Sequence, residues 1–151
     1  MMKSSDENFI QLAIDESKKA FADGEKICFG ALIVKNGEII SKAHNTARKD
    51  NDPTAHAEIN AIREASKKLE NHHLADCTLY TTCEPCQMCF IASWWAKIQK
   101  IVYGIKLQDV KQQGQREVLI SCEELNQKSG NTIQIKAGVL KQDCLKSLKT
   151  F

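Results

Sequence analysis

No apolar run in this sequence reaches the roughly 20 residues of a membrane-spanning helix, so no transmembrane segment is expected. The opening MMKSSDENFIQ has no apolar stretch either, which argues against a secretory signal or transit peptide. Charge of one sign is also missing. Lys and Arg number 21 against 19 Asp and Glu, and the formal net charge of +2 lacks the basic footprint of a nucleic-acid binder. Internal repeats, low-complexity tracts and interdomain linkers are absent. With 42% hydrophobic and 26% charged residues, the 151-residue chain reads as one soluble globular domain over 1–151, expected in the cytoplasm.

Prolines are scarce, and both carry positional information. Pro53 follows Asp52 and Pro85 precedes Cys86, each reading as the first turn of a helix. Cysteine, by contrast, is plentiful. Seven cysteines in a chain without a signal peptide argue against a disulfide framework. Cys28, Cys77, Cys122 and Cys144 lie scattered in apolar segments and read as small core residues. Cys83, Cys86 and Cys89 form two overlapping C-x-x-C pairs. A helix opened by Pro85 puts Cys86 and Cys89 three apart on one face and leaves Cys83 at a strand end, pointing elsewhere.

Periodicity supplies the scaffold. Helical spacing of Phe9, Leu12, Ala13, Ala20 and Phe21 predicts a helix over 4–23, with Ser4 and Glu7 as a capping box. CFGALIVK and EIISKAHN read as strands joined by an Asn36-Gly37 hairpin turn, and TARKDND as a loop. Asp52-Pro53 opens a helix to about Leu69. CTLYTT and KIVYG flank a helix over 85–96, a crossover that predicts parallel strands. LQDVKQQGQREV reads as loop or frayed helix, Ser121 as the cap of a short helix, TIQIKAGV as a fifth strand and LKQDCLKSLKTF as a closing helix. The sum is a three-layer α/β/α sandwich with a mixed five-stranded sheet.

Within this scaffold the chemistry concentrates in His56-Ala57-Glu58 and Pro85-Cys86-Gln87-Met88-Cys89. One imidazole and two thiolates leave a tetrahedral Zn²⁺ with an open fourth position, as catalytic zinc requires. Glu58 is then a carboxylate free to move protons. On an ideal helix residues two apart point about 200° from each other, so His56 and Glu58 share a site only near the helix start. The pattern H-x-E with P-C-x-x-C is a recognised signature of zinc nucleobase deaminases. Zinc lowers the pKa of water to roughly 7, and a single carboxylate can carry its proton to a ring nitrogen and then to the departing amine.

The stretches FGALIVKNGEII, NDPTAHAEINAIR and LYTTCEPCQMC resemble the cytidine-deaminase-like superfamily, above all its bacterial guanine deaminases and tRNA adenosine deaminases. The similarity covers about residues 5–105. It implies one Zn²⁺ per chain on His56, Cys86 and Cys89, Glu58 as proton shuttle, and a homodimer. It also implies base contacts from Phe29, Asn45, Ala57 and Trp95. In guanine deaminases a later carboxylate binds the purine within a G-F-D-D-like segment. Gly114-Gln115-Arg116-Glu117 makes Glu117 the candidate here, without the aromatic, and Phe151 is the candidate for a substrate-covering aromatic. KLQDVKQQGQRE replaces the loop that tRNA enzymes carry after the fourth strand.

The expected function is hydrolytic deamination of a small nucleobase, guanine to xanthine plus ammonia. Adenosine-to-inosine editing in tRNA and deamination of a small pyrimidine stay open as alternatives, as does a non-catalytic scaffold whose structural zinc takes Cys83 as fourth ligand. His72 and His73 read as surface residues, and His44 as a strand residue without partner spacing.

Overall fold

Turn chemistry builds the first hairpin. β1 (Gly30–Lys35) and β2 (Glu38–His44) are joined by Asn36 and Gly37, whose φ values of 50° and 76° are those of a two-residue hairpin turn of the I′ kind. β3 (Cys77–Cys83), β4 (Lys100–Ile105) and β5 (Gln134–Lys136) complete a five-stranded sheet in the order β2-β1-β3-β4-β5. β1 is antiparallel to β2 and β3, whereas β3, β4 and β5 are mutually parallel neighbours. The computed structural model describes residues 4–148, so the expectation for Phe151 lies outside the described residues.

Helices cover both faces. α1 (Ser5–Ala22), α5 (Leu107–Gln112) and α7 (Lys141–Ser147) bury Ile10, Ala13, Ile14, Val110 and Cys144 against Leu32, Tyr80 and Val102. α3 (Ala57–Leu69), α4 (Gln87–Trp95) and α6 (Cys122–Lys128) bury Ala57, Ala61, Ala65, Phe90 and Cys122 against Ile33, Leu79, Ile101 and Tyr103. Burial on two faces explains why the central strands read as nearly continuous apolar runs. Gly30 is required by packing, because a Cβ there would overlap the Ala13 carbonyl of α1.

Four boundaries differ from expectation. The segment read as a loop after β2 contains a short helix, α2 (Ala47–Asp50). The fifth strand is confined to Gln134–Lys136, where it pairs with Lys100–Val102 of β4. Most consequentially, Asp52-Pro53 does not open α3. Asp52 Oδ1 instead accepts the Thr54 N–H at 2.8 Å and its hydroxyl at 2.6 Å, closing a tight turn. His56, extended at φ −73° and ψ 157°, is the N-cap. Likewise Cys86, at φ −64° and ψ 174°, is the N-cap of α4, so Pro85 stands before the helix and not in its first turn.

Asp6 ties α1 to three strands. Its carboxylate accepts from the Tyr80 hydroxyl at 2.8 Å and Lys136 Nζ at 2.7 Å, with Lys100 Nζ at 3.8 Å. Burial works against its ionisation, but the Lys136 and Tyr80 hydrogen bonds and the two lysine charges outweigh it and hold Asp6 below its ordinary 3.8. A depressed native pKa means that the unfolded chain binds more protons in this window. Asp6→Asn should therefore cost about 1–3 kcal/mol at neutral pH. That penalty should be complete above the ordinary value and fade as the pH falls through the depressed one. Urea unfolding of both proteins between about pH 2 and pH 7 checks it. A pH-independent penalty would contradict the linkage.

Candidate active site

Strand direction puts the site at one end of the sheet. Gly30 pairs with His44, Ala31 with Thr81 and Cys83 with Ile105, so the start of β1 and the carboxyl ends of β2, β3 and β4 coincide. Ligand clefts form at such ends, where strand order or direction switches. Here the cleft is walled by Phe29, Asn45, Ala47, His56, Glu58, Cys83, Glu84, Cys86, Leu107 and Glu117.

Two helix starts meet on its floor. His56 Nδ1 lies 3.7 Å from Cys86 Sγ and 3.5 Å from Cys89 Sγ. Zn–S and Zn–N bonds of about 2.3 and 2.0–2.1 Å at tetrahedral angles separate sulfur from nitrogen by roughly 3.5 Å, so the donor set fits zinc. Cys83 is not part of this three-donor group, which speaks against a closed four-ligand site. The donors are polarised even without a cation. Hydrogen bonding to Cys89 first, then to His56, pulls Cys86 down to about 4 against its burial. The Cys86 partner in turn pushes His56 up to about 9, and the Cys89 thiol is held well above its usual range. Cation binding at such a cluster displaces these protons.

Glu58 follows in the first turn of α3, 6% exposed. Its Oε2 accepts from Cys89 Sγ at 3.6 Å, which sets it beside the donors, and its Oε1 lies 3.3 Å from Thr81 Oγ1. Burial, then the neighbouring Cys86 charge, raises it to about 7. Because His56 is a cap and not a helical residue, the two side chains escape the 200° divergence of a continuous helix.

The walls differ in how firmly they are held. Asn45 Oδ1 accepts the Phe29 N–H at 2.9 Å and its Nδ2 donates to the Ile27 carbonyl at 2.8 Å, leaving one further donor and one acceptor on the amide. Glu117 comes from the irregular segment after α5, half-buried, with burial raising its carboxyl. That segment is latched from two sides. Gln87 Nε2 donates to the carbonyls of Val118 and Ile120, both at 2.8 Å, while Glu84 accepts the N–H groups of Leu107 at 3.0 Å and Cys122 at 2.8 Å.

Residues 3–105 match the model of the cytidine and deoxycytidylate deaminase zinc-binding region. The chain belongs to this zinc-dependent deaminase family. It is similar to the tRNA-specific adenosine deaminase of Aquifex aeolicus (strain VF5), 50% identical over 98 residues, which are 65% of this chain and 64% of that protein. It is also similar to the guanine deaminase of Bacillus subtilis (strain 168), 43% identical over 108 residues, 72% of this chain and 69% of that one. Its fold matches a structure from studies of A-to-I editing by tRNA deaminases at the wobble position, with a TM-score of 0.79 at 29% identity, covering 93% of this chain and 99% of that chain. The mixed five-stranded sheet with helices is thus the deaminase fold.

Two residues expected to touch a base do not present a side chain to this cleft. Trp95 is 68% exposed at the far end of the nine-residue α4, about 13 Å along the axis from Cys86, and borders a different hollow with Trp94 and Thr132. It is not among the residues that wall the cleft. Ala57 is fully buried in the core, which leaves only its backbone to offer. His44 holds Glu16 at 3.1 Å and Asp23 at 2.7 Å and is not in the His56, Cys86 and Cys89 donor group. Sequence reasoning missed Thr81 and Glu84. Strand alternation signals Thr81, two residues beyond the core-facing Leu79, whereas nothing in the sequence ties Glu84 to Leu107 or Cys122.

The donor geometry predicts metal content directly. Cys83→Ala should keep about one zinc per chain, whereas Cys89→Ala should lose most of it, as read by elemental analysis of the purified protein. Zinc lost from Cys83→Ala would point to a structural four-ligand site instead.

Proposed function

We propose that this protein is a hydrolytic purine deaminase of one domain, 1–151, with one zinc per chain held by His56, Cys86 and Cys89, and guanine to xanthine plus ammonia as its reaction. The observation that carries this reading is the buried Glu58 carboxylate set beside three donors that fit zinc, at the bottom of a cleft. Zinc, when bound, supplies a Lewis acid that makes water nucleophilic near neutral pH. Glu58 takes the proton of the attacking water, delivers it to the ring nitrogen and then assists the departing amine. Burial raises its carboxyl, which favours returning a proton, while a bound dication favours the ionised form that accepts one. Asn45 has its remaining amide positions, and Phe29 its ring, to hold the base.

Glu117 supports guanine. The adjacent N1–H and 2-amino donors of guanine match a carboxylate accepting at two oxygens, and adenine presents no such pair on that edge. The second reading, adenosine-to-inosine deamination in tRNA, is supported equally by the relatives, including the Aquifex enzyme, of whose length the matched stretch spans 64%. We place the protein in the cytoplasm, since thiolate donors need a reducing compartment. A homodimer is supported by the exposed apolar side chains of Ile91, Trp95, Val118, Leu119 and Ile120.

Ammonia release from guanine, cytosine, adenine, their nucleosides and tRNA by the zinc-loaded protein tests the substrate; activity on tRNA alone would sink the guanine reading. Glu58→Gln should keep zinc and fold and lower kcat by about two to four orders of magnitude. Unchanged activity in that variant, or loss of its zinc, would remove Glu58 from its assigned role.

A further inference from the structure

We propose that Thr81 is a positioning residue for Glu58, its hydroxyl fixing the carboxylate in the orientation that proton transfer requires. This rests on the deaminase reading above. Thr81 stands on β3, the central strand, paired with Ala31 of β1 on one side and Tyr103 of β4 on the other. It is fully buried and belongs to the face of the sheet that α3 covers. Its Oγ1 is 3.3 Å from Glu58 Oε1 and 3.0 Å from the Cys83 carbonyl. A glutamate at a helix start has three rotatable side-chain bonds, and burial denies this one a shell of water to orient it. Among the described residues, the side-chain groups hydrogen-bonded to its carboxylate are the Thr81 hydroxyl and the Cys89 thiol. The Glu58 backbone N–H also bonds the carboxylate, and the thiol belongs to the proposed donor set, which leaves Thr81 as the side-chain anchor outside that set.

The residue type suits the task. A β-branched side chain in a central strand is stiff at χ1, and its one hydroxyl proton is shared between the Cys83 carbonyl at 3.0 Å and Glu58 Oε1 at 3.3 Å, which keeps the hydroxyl between the two acceptors. The hydroxyl is neutral, so it restrains the carboxylate without neutralising it. Valine would fill the same volume beneath α3, and packing alone gives no preference for a hydroxyl there.

The test is the zinc-loaded full-length protein carrying Thr81→Val, which removes the hydroxyl at constant shape, and Thr81→Ser, which keeps it. Thr81→Val should lower kcat about tenfold to a hundredfold with KM and zinc stoichiometry unchanged. Thr81→Ser should restore most of the loss. Crystal structures should show Glu58 in one rotamer with Thr or Ser at 81 and in altered or multiple rotamers with Val. Wild-type kcat in Thr81→Val, an equally poor Thr81→Ser, or an unmoved Glu58 would each overturn the assignment while leaving the deaminase reading intact. A wild-type protein that releases no ammonia from any base, nucleoside or tRNA would overturn that reading, and this assignment with it.

Discussion

The site depends on where two helices begin. α3 starts immediately after His56 and α4 immediately after Cys86, and both residues have extended backbone. A cap residue is free of the helical direction that binds its successors, so its side chain can turn back toward the other helix. That freedom lets His56 and Glu58 serve one centre although they are only two residues apart. Cys89, in the first turn of α4, and Glu58, in the first turn of α3, then approach each other to 3.6 Å. Had α3 begun at Pro53, His56 and Glu58 would point to opposite sides of a continuous helix.

Both starts are also electrostatically apt. The first turn of a helix carries unsatisfied N–H groups and the positive end of its dipole, which favour the carboxylate of Glu58 and the thiolates of Cys86 and Cys89. Opposing this, the cleft collects negative groups in a poorly solvated space: Glu58, Glu84, Glu117 and the Cys86 thiolate. Burial wins for Glu58, raised to about 7, and loses for Cys86, drawn to about 4 by its partners. The His56 imidazole, raised to about 9, offsets part of this charge, and a dication at the donors would displace its proton and take over that role.

How much of this is legible in the sequence follows from the range of each interaction. Strands and long helices are written in local periodicity, and the donors in short motifs, so both can be read directly. The start of α3 cannot, because Asp52-Pro53 has the signature of a cap and its first turn. The decision falls to the Asp52 carboxylate, which bonds Thr54 just ahead of it and closes a turn short of the helix. The fifth strand is overread for a related reason: TIQIKAGV has strand composition, but its ladder with β4 is confined to Lys100–Val102, and Gly138 with φ 79° interrupts it before the Val139 N–H returns to the Tyr103 carbonyl at 3.1 Å. Trp95 shows the limit of motif matching. Its spacing from Cys86 is plain in the sequence, yet nine residues of helix carry it away from the cleft.

On the proposed reading, the choice of base lies in the least patterned part of the chain. Glu117 sits in a segment with no regular structure, and no local signal says where its carboxylate goes. Its place is set instead by side chains distant in sequence: Gln87, which grips the carbonyls on either side of Leu119, and Glu84, whose two oxygens hold the N–H groups of Leu107 and Cys122. Both latches lie beside the metal donor Cys86. The segment that carries the donors thus also anchors the wall that carries Glu117. The two parts of the cleft are therefore held by different means, since His56, Glu58, Cys86 and Cys89 rest on helix starts while Glu117 rests on two hydrogen-bonded latches.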